Sequence, residues 1–420
     1  MPAKIEIEDL LSPQLSEGQR QALAHAEAHP VELTEEAVLN AATARTGLAD
    51  FGPDDFRLRL RRLIDEWNAD ARMFALNRAM LFNTAQRYAA NRLLIQDVLT
   101  RHPEVHEERV EQPIIVVGMP RSGTTHLLNL LGADSRLRST PLWEVYEPLP
   151  IPGEAAGPGG VDPRYARCAA VWEAIQKSSP LSAAMHPMDP AHFHEDLELM
   201  CPDFASYNFE WLSRVPKWRD HHCQTDQTPH YEYMKTVFKI LQWREGGTRR
   251  RWVVKCPQHL EQLPVLRRVF PDATVAITYR DPVEVIQSAV TMMGYAERMR
   301  YPSIDAPGLL DYWTDRVERL LRACVRDRQV WPAAQSVDVP FDAFMADEMG
   351  VVREIQRKAG LLQSDAADHE IREFIATHPR GKFGQVSYNL KRDFGVDPAA
   401  LRARFEFYFE AFPFLSRPKD

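Results

Sequence analysis

The sequence predicts an α/β protein in which a parallel β-sheet is flanked by helices. Four short runs of mostly β-branched residues carry this prediction, and each is bounded by turn or helix signals, as buried parallel strands are. The runs are residues 114–117, 252–254, 274–278 and 336–339. Because helical segments alternate with them, the chain is expected to form βαβ units around one sheet.

The segments around these strands divide the chain of 420 residues into two regions. Apolar residues recur at helical spacing near 38–42, 56–67 and 71–99, which predicts an N-terminal helical region over residues 1–110. The α/β domain is then expected to fill residues 111–420. We assign packing, and no chemistry, to the N-terminal helices.

A segment rich in Trp, His, Pro and Met covers about residues 145–245 and is predicted to be a helical insertion over one end of the sheet. Most of its aromatic side chains are expected in the core. A few could line a pocket for an apolar acceptor.

Charge and composition exclude several classes of protein. A net charge of -8 argues against a nucleic-acid binder, which needs a basic surface. No apolar run approaches the roughly 20 residues of a membrane span, and the first residues do not have the pattern of a signal peptide. The five dispersed cysteines fit reduced thiols. We expect a cytoplasmic protein that binds a small molecule; its oligomeric state is open, with a homodimer as one option.

The most informative motif lies directly after the first strand, at residues 118–125. Its Gly-x4-Gly spacing between a strand and a helix is typical of a loop whose backbone N–H groups surround an anion. In a P-loop kinase or triphosphatase, lysine follows the second glycine and magnesium is bound. Here Thr124 takes that position and Arg121 supplies the cation, which favours a phosphosulfate held without a metal ion.

These residues also carry a family resemblance. The string PRSGTT resembles the 5′-phosphosulfate loop of sulfotransferases that use 3′-phosphoadenosine-5′-phosphosulfate (PAPS), in the arginine form common in bacterial and protein-tyrosine members. The resemblance implies the P-loop-like sulfotransferase fold, and PAPS as co-substrate with 3′-phosphoadenosine-5′-phosphate as product. It also implies that the phosphosulfate is bound by Arg121, Ser122, Gly123, Thr124 and Thr125.

Two further segments resemble the family's 3′-phosphate site. Arg280 follows a strand and Ser288 lies two helical turns later, which is similar to the Arg and Ser that bind this phosphate. An arginine fork and a hydroxyl suit phosphate oxygens. Arg380, Gly381 and Lys382 resemble the loop that closes over the same phosphate, although the order of residues differs and leaves open which cation contacts it.

Sulfuryl transfer requires cations that stabilise charge on the leaving phosphate. Arg121 is one candidate, and Lys255 is the other. Lys255 begins the string KCPQHLEQLP at a strand end, which resembles the lysine segment of these enzymes. The aromatic and acidic segment 341–344 also matches the family and is expected to be structural.

Three candidates remain open for the base that removes the acceptor proton. Glu144 comes first, because sulfotransferases with an arginine loop commonly place a catalytic glutamate in such a segment. His259 comes second: histidine has the better unperturbed pKa, but Pro257 breaks the Lys-x-His pattern of cytosolic members. Residues 192–196 (His-Phe-His-Glu-Asp) come third, as acceptor-pocket lining or a structural charge cluster, since they lack zinc-helix spacing.

The predicted function is therefore transfer of a sulfuryl group from PAPS to a hydroxyl, less often an amine, of a small apolar or aromatic acceptor. Two alternatives stay open at this stage. One is a P-loop-type kinase acting on a small molecule, and the other is a non-catalytic nucleotide-binding protein.

Overall fold

The computed structural model of the chain describes residues 4–247, 249–379 and 381–415. Within these ranges the strands are β1 Lys4–Ile5, β2 Ile114–Gly118, β3 Leu137–Arg138, β4 Arg251–Cys256, β5 Thr274–Tyr279, β6 Ser336–Pro340 and β7 Gln385–Val386.

The α-helices of the same ranges account for most of the chain. They are α1 Glu17–Ala28, α2 Glu35–Thr46, α3 Phe56–Ala69, α4 Ala75–Arg101, α5 Thr124–Gly132, α6 Leu142–Tyr146, α7 Pro163–Ser178, α8 Ser182–Met185, α9 Leu197–Met200, α10 Asn208–Leu212, α11 Pro216–Gln224, α12 Thr228–Glu245, α13 Leu263–Val269, α14 Pro282–Glu297, α15 Ala306–Asp327, α16 Phe341–Ala346, α17 Glu348–Lys358, α18 Asp365–Thr377, α19 Leu390–Phe394, α20 Pro398–Ala403 and α21 Glu406–Ala411. Short 3-10 helices lie at Pro103–Glu107, Pro158–Gly160, Cys201–Asp203, Pro257–Glu261, Arg328–Val330, Ala333–Gln335 and Pro413–Leu415.

Five strands form one parallel sheet of order β3-β4-β2-β5-β6. The central strand β2 aligns Val117 with Cys256 of β4 and Ile277 of β5, so the carboxyl ends of these three strands meet at one edge. The four predicted strands are β2, β4, β5 and β6, and the α/β fold class is confirmed. Strand β3 and the separate parallel pair β1–β7 were not predicted, because two residues carry no periodic pattern.

Helices cover both faces of the sheet, so its central strands β2 and β5 are buried at every residue, whereas the edge strand β6 exposes Asp338. Alternate residues of β2 point to opposite faces. Ile115 and Val117 belong to a core shared with α12, α14 and α15. Ile114 and Val116 belong to a second core shared with α5, α17 and α18.

The predicted N-terminal helices are present as α2, α3 and α4. Gly47 ends α2 in a left-handed conformation, with φ of 71°. The apolar side chains of these helices pack with residues from 201–218 of the insertion, and the last turns of α4 enter the core of the sheet. Buried Asp203 joins the two regions, since it accepts hydrogen bonds from Arg59 at 2.6 Å and Arg92 at 3.0 Å. In the described ranges, no helix is both long and apolar enough to cross a membrane.

Candidate active site

The loop of residues 118–125 joins β2 to α5 at the carboxyl edge of the sheet. Two of its residues adopt left-handed backbone conformations, Arg121 with φ of 63° and Gly123 with φ of 86°. A non-glycine residue in this region costs about 1–2 kcal/mol, so the surrounding contacts must hold Arg121 in place. A Cβ atom on Gly118 would lie 1.9 Å from Thr278 Oγ1, so the close contact with β5 requires glycine there.

The hydroxyl groups of the loop have different partners. Ser122 is fully buried; its Oγ donates to the Met119 carbonyl at 2.5 Å and lies 2.7 Å from Thr278 Oγ1. The Ser122 side chain thus supports the loop from inside. The predicted contact of Ser122 with the phosphosulfate would then be made by its backbone N–H group. Thr125 Oγ1 instead accepts a hydrogen bond from Lys255 Nζ at 2.9 Å.

The two predicted phosphate motifs meet, although 159 residues separate their arginines. Arg121 Nε donates to Ser288 Oγ at 3.0 Å, and Arg280 Nη1 donates to the Arg121 carbonyl at 2.5 Å. The meeting follows from the parallel sheet, because β2 and β5 are neighbours and both motifs follow their carboxyl ends. Two guanidinium groups and a hydroxyl therefore lie together at the carboxyl edge of the sheet.

Arg280 is oriented by two further contacts. Its Nε donates to Glu284 one turn along α14 at 3.0 Å, and its guanidinium lies over the Phe341 ring at 4.1 Å from the centroid. The same ring would contact a Cβ atom on Gly123 at 3.2 Å. The predicted aromatic segment 341–344 thus packs against both the loop and Arg280.

Lys255, near the end of β4, links the carboxylate of Glu195 to the loop. Its Nζ contacts Glu195 as well as Thr125, and the lysine is fully buried. The Glu195 side chain keeps 15% of its surface exposed. Lys255 therefore contacts both the loop hydroxyl and a carboxylate, and the carboxylate comes from the third predicted candidate segment.

Sequence reasoning missed the residue that anchors this segment to α5. Asn129 is buried; its Oδ1 accepts from the Phe193 N–H and its Nδ2 donates to the Phe193 carbonyl, each at 3.1 Å. The sequence does contain a signal for this role, since Asn129 is an amide within the apolar run of α5. A buried amide must find hydrogen-bond partners.

Three histidines lie around Glu195 and Lys255. Burial, followed by the charges of Arg121 and Lys255, lowers the pKa of His186 to about 3. Burial is also the main cause that lowers the pKa of His192 to about 4 and the pKa of His194 well below its usual value. The rings of His186 and His194 are 5.8 Å apart. These imidazoles are neutral at physiological pH and place polar, uncharged side chains near Lys255.

Glu144, the first predicted base, has a different environment. Both of its carboxylate oxygens accept from Arg138 Nη2, at 2.8 and 2.9 Å. It lines a cavity of about 400 Å³ together with Trp143, Arg164 and Arg244. Arg138 belongs to β3 and pairs with the first residues of β4, so this ion pair lies toward the sheet edge opposite the loop.

His259, the second predicted base, is fully buried, and both of its ring nitrogens have partners. Nε2 lies 3.0 Å from Asp196 Oδ2, and Nδ1 lies 2.9 Å from the Tyr231 hydroxyl. In the described part of the chain, one group of side chains has the spacing to hold a metal ion, namely Asp196, Cys256 and His259, with ligand atoms within 4.8 Å of one another. Burial raises the pKa of the Cys256 thiol well above its usual range, which disfavours the thiolate a metal would require.

The C-terminal candidate loop is described only in part. Arg380 lies outside the described residues. Gly381 has φ of 74°, and the N–H of exposed Lys382 donates to the Pro379 carbonyl at 3.2 Å. A role for these residues at the 3′-phosphate stays a prediction.

Known proteins with a similar sequence or structure identify the family of this chain. A sequence profile described as the sulfotransferase family matches residues 113–365, more than half of the chain. The omega-hydroxy-beta-dihydromenaquinone-9 sulfotransferase Stf3 of Mycobacterium bovis is 23% identical over 300 residues, which are 68% of this chain and 72% of that protein.

Two solved structures are similar over nearly their whole length. The sulfotransferase STF1 of Mycobacterium tuberculosis H37Rv has a TM-score of 0.76 and 27% identity, with 89% of this chain and 98% of that chain covered. The sulfotransferase STF9 of Mycobacterium avium has a TM-score of 0.79 and 25% identity, with 91% and 97% covered. This chain belongs to the sulfotransferase family.

Proposed function

We propose that this chain transfers the sulfuryl group of PAPS to a hydroxyl, less often an amine, of a small apolar or aromatic acceptor. One observation carries the donor assignment: direct hydrogen bonds bring Arg121, Arg280 and Ser288 together at the carboxyl edge of the sheet. Two arginines suit a ligand with separate 5′ and 3′ anionic groups, because each guanidinium can bind phosphate oxygens in a fork. Membership of the sulfotransferase family supports the same donor.

The reaction is an in-line displacement at sulfur. The acceptor oxygen forms a bond to sulfur, the bond from sulfur to the 5′-phosphate oxygen breaks, and 3′-phosphoadenosine-5′-phosphate leaves. Lys255 and Arg121 stabilise the charge that develops on the leaving phosphate. Thr125 and the loop backbone hold the donor in line.

The acceptor proton goes to Glu195 in this proposal. Among the candidate bases, Glu195 is the one whose carboxylate contacts Lys255 beside the loop while keeping part of its surface exposed. The carboxylate of Glu144 is held by Arg138, and both nitrogens of His259 are used inside the core. A positioned general base typically accelerates a reaction by a factor of about 10²–10⁴.

A hydroxyl acceptor is favoured by the name of the Mycobacterium bovis relative, which describes a substrate with an omega-hydroxy group. The neutral histidines beside Glu195 fit an uncharged acceptor, since they can hydrogen-bond a hydroxyl without attracting an anion. The cytoplasmic location and the homodimer remain predictions.

The test begins with calorimetric titration of 3′-phosphoadenosine-5′-phosphate in a chelator, followed by transfer of labelled sulfate from PAPS to a panel of alcohols, phenols and amines. We expect binding and transfer without magnesium. ATP-dependent phosphoryl transfer that requires magnesium would support the kinase alternative instead. Binding without turnover on any acceptor would support a non-catalytic nucleotide-binding protein.

A further inference from the structure

We infer that a buried hydrogen-bond chain of Tyr231, His259 and Asp196 is a positioning device for the carboxylate of Glu195. This inference rests on the base assignment proposed above. His259 then contributes to the reaction as a positioning residue that acts through Glu195, and it is not the base itself.

Two side-chain contacts form the chain. His259 Nε2 lies 3.0 Å from Asp196 Oδ2, which can accept a hydrogen bond from it. The Tyr231 hydroxyl lies 2.9 Å from His259 Nδ1 and completes the chain. All three residues are fully buried, so water does not compete for these bonds.

The chain ends beside the reacting groups. Asp196 follows Glu195 directly, and its backbone N–H donates to the Lys255 carbonyl at 3.2 Å. The side chains of Glu195 and Lys255 then contact each other. A shift of Asp196 would therefore move Glu195, its neighbour in the chain, relative to Lys255.

The segment that carries Glu195 needs such support, because it is neither helix nor regular strand. Residues 192–195 make one isolated bridge, from Phe193 to Pro141. Asn129 fixes the backbone of Phe193 on one side of Glu195, and the buried chain fixes Asp196 on the other. The carboxylate is thus held from α5 and from α12 through His259.

Tyr231→Phe tests the chain with the smallest change, since it removes one hydroxyl from a fully buried ring. Tyr207→Phe is the matched control: Tyr207 is equally buried, and its hydroxyl has no hydrogen-bond partner among the described residues. Both variants should keep the fold. We expect the control to transfer sulfate at the wild-type rate.

The decisive measurement is single-turnover transfer from PAPS in a double-mutant cycle with Glu195→Gln. Loss of a buried hydrogen bond predicts that Tyr231→Phe slows transfer about 5- to 10-fold. Its dissociation constant for 3′-phosphoadenosine-5′-phosphate should stay within about twofold, because the chain does not touch the phosphate motifs. In the Glu195→Gln background, Tyr231→Phe should cause no further loss.

A second comparison separates positioning from stability. His259→Gln can still donate to Asp196, whereas His259→Ala cannot, so His259→Gln should retain more activity than His259→Ala at equal PAPS affinity. Equal losses from Tyr231→Phe in both backgrounds, or an equal loss in Tyr207→Phe, would overturn the positioning role alone. A wild-type rate for Glu195→Gln by itself would overturn the base assignment and this role together.

Discussion

Replacement of Arg280 by alanine should remove the protein's preference for a 3′-phosphate. The guanidinium lies over Phe341, and its Nη1 and Nε are already directed toward the loop and α14. We expect it to donate two charge-assisted hydrogen bonds to the 3′-phosphate. The matched ligands are 3′-phosphoadenosine-5′-phosphate and adenosine 5′-monophosphate, which differ only in that phosphate.

The magnitude follows from the contacts of Arg280. A hydrogen bond to a charged group contributes about 1.5–3 kcal/mol. Two such bonds give about 3 kcal/mol at the lower bound, and the existing pair with Glu284 opposes them by about 0.5 kcal/mol. The net of about 2.5 kcal/mol corresponds to a preference of about 70-fold for the ligand with the 3′-phosphate.

The assay is calorimetric titration of both ligands into the wild-type protein and Arg280→Ala at one fixed salt concentration. The wild-type ratio of dissociation constants should be near 70, and in the variant it should fall toward 1 while adenosine 5′-monophosphate binds with unchanged affinity. An Arg280→Ala variant that keeps the wild-type ratio would refute the assignment of the 3′-phosphate to this residue. An equal loss of affinity for both ligands would show that Arg280 supports the loop and does not bind the 3′-phosphate.

Three further predictions concern the base, the loop and acid stability. Glu195→Gln should slow single-turnover transfer about 10²- to 10⁴-fold, whereas Glu144→Gln should stay within about twofold of wild type, because its carboxylate is bound by Arg138. Gly118→Ala should lower the free energy of unfolding by about 1–3 kcal/mol in urea denaturation, and Thr278→Ala in the same chain should restore part of it by removing the oxygen 1.9 Å from the new Cβ. Folded His186 has a pKa of about 3 against 6.5 unfolded, so the unfolded state binds the extra proton and stability falls as pH drops below 6.5. His186→Asn should therefore lose about 2 kcal/mol less than wild type between pH 7 and pH 5 in urea denaturation.

Each of these predictions has a contrary result. If Glu144→Gln slowed transfer more than Glu195→Gln, Glu144 would be the base and the assignment of Glu195 would be wrong. A Gly118→Ala protein as stable as wild type would contradict the close packing of the loop on β5. Equal acid sensitivity of His186→Asn, wild type and the exposed-site control His25→Asn would show that burial does not hold His186 neutral.

Four of the five strands of the main sheet, and the anion loop, could be predicted from local sequence patterns. Strands β2, β4 and β5 were predictable because a strand buried on both faces contains a short, continuous apolar run, which is a local pattern. The half-exposed edge strand β6 was predictable from its β-branched Val337 and Val339, which are followed by Pro340 and a helix. The loop was predictable because its glycine spacing and its place between strand and helix are local as well. Arg280 and Ser288 were predictable because their motif lies at a strand end, and parallel strands bring their carboxyl ends to one edge.

Which carboxylate reaches the loop could not be predicted from the sequence and is seen in the folded chain. Glu144 and Glu195 both lie in segments after the first βα unit, and no local pattern distinguishes them. The difference lies in their partners: Arg138, close by in sequence, holds Glu144, whereas Lys255, 60 residues away, holds Glu195 at the loop. A side chain in an irregular segment takes its direction from the surfaces that pack against it, and those surfaces exist only once the chain has folded.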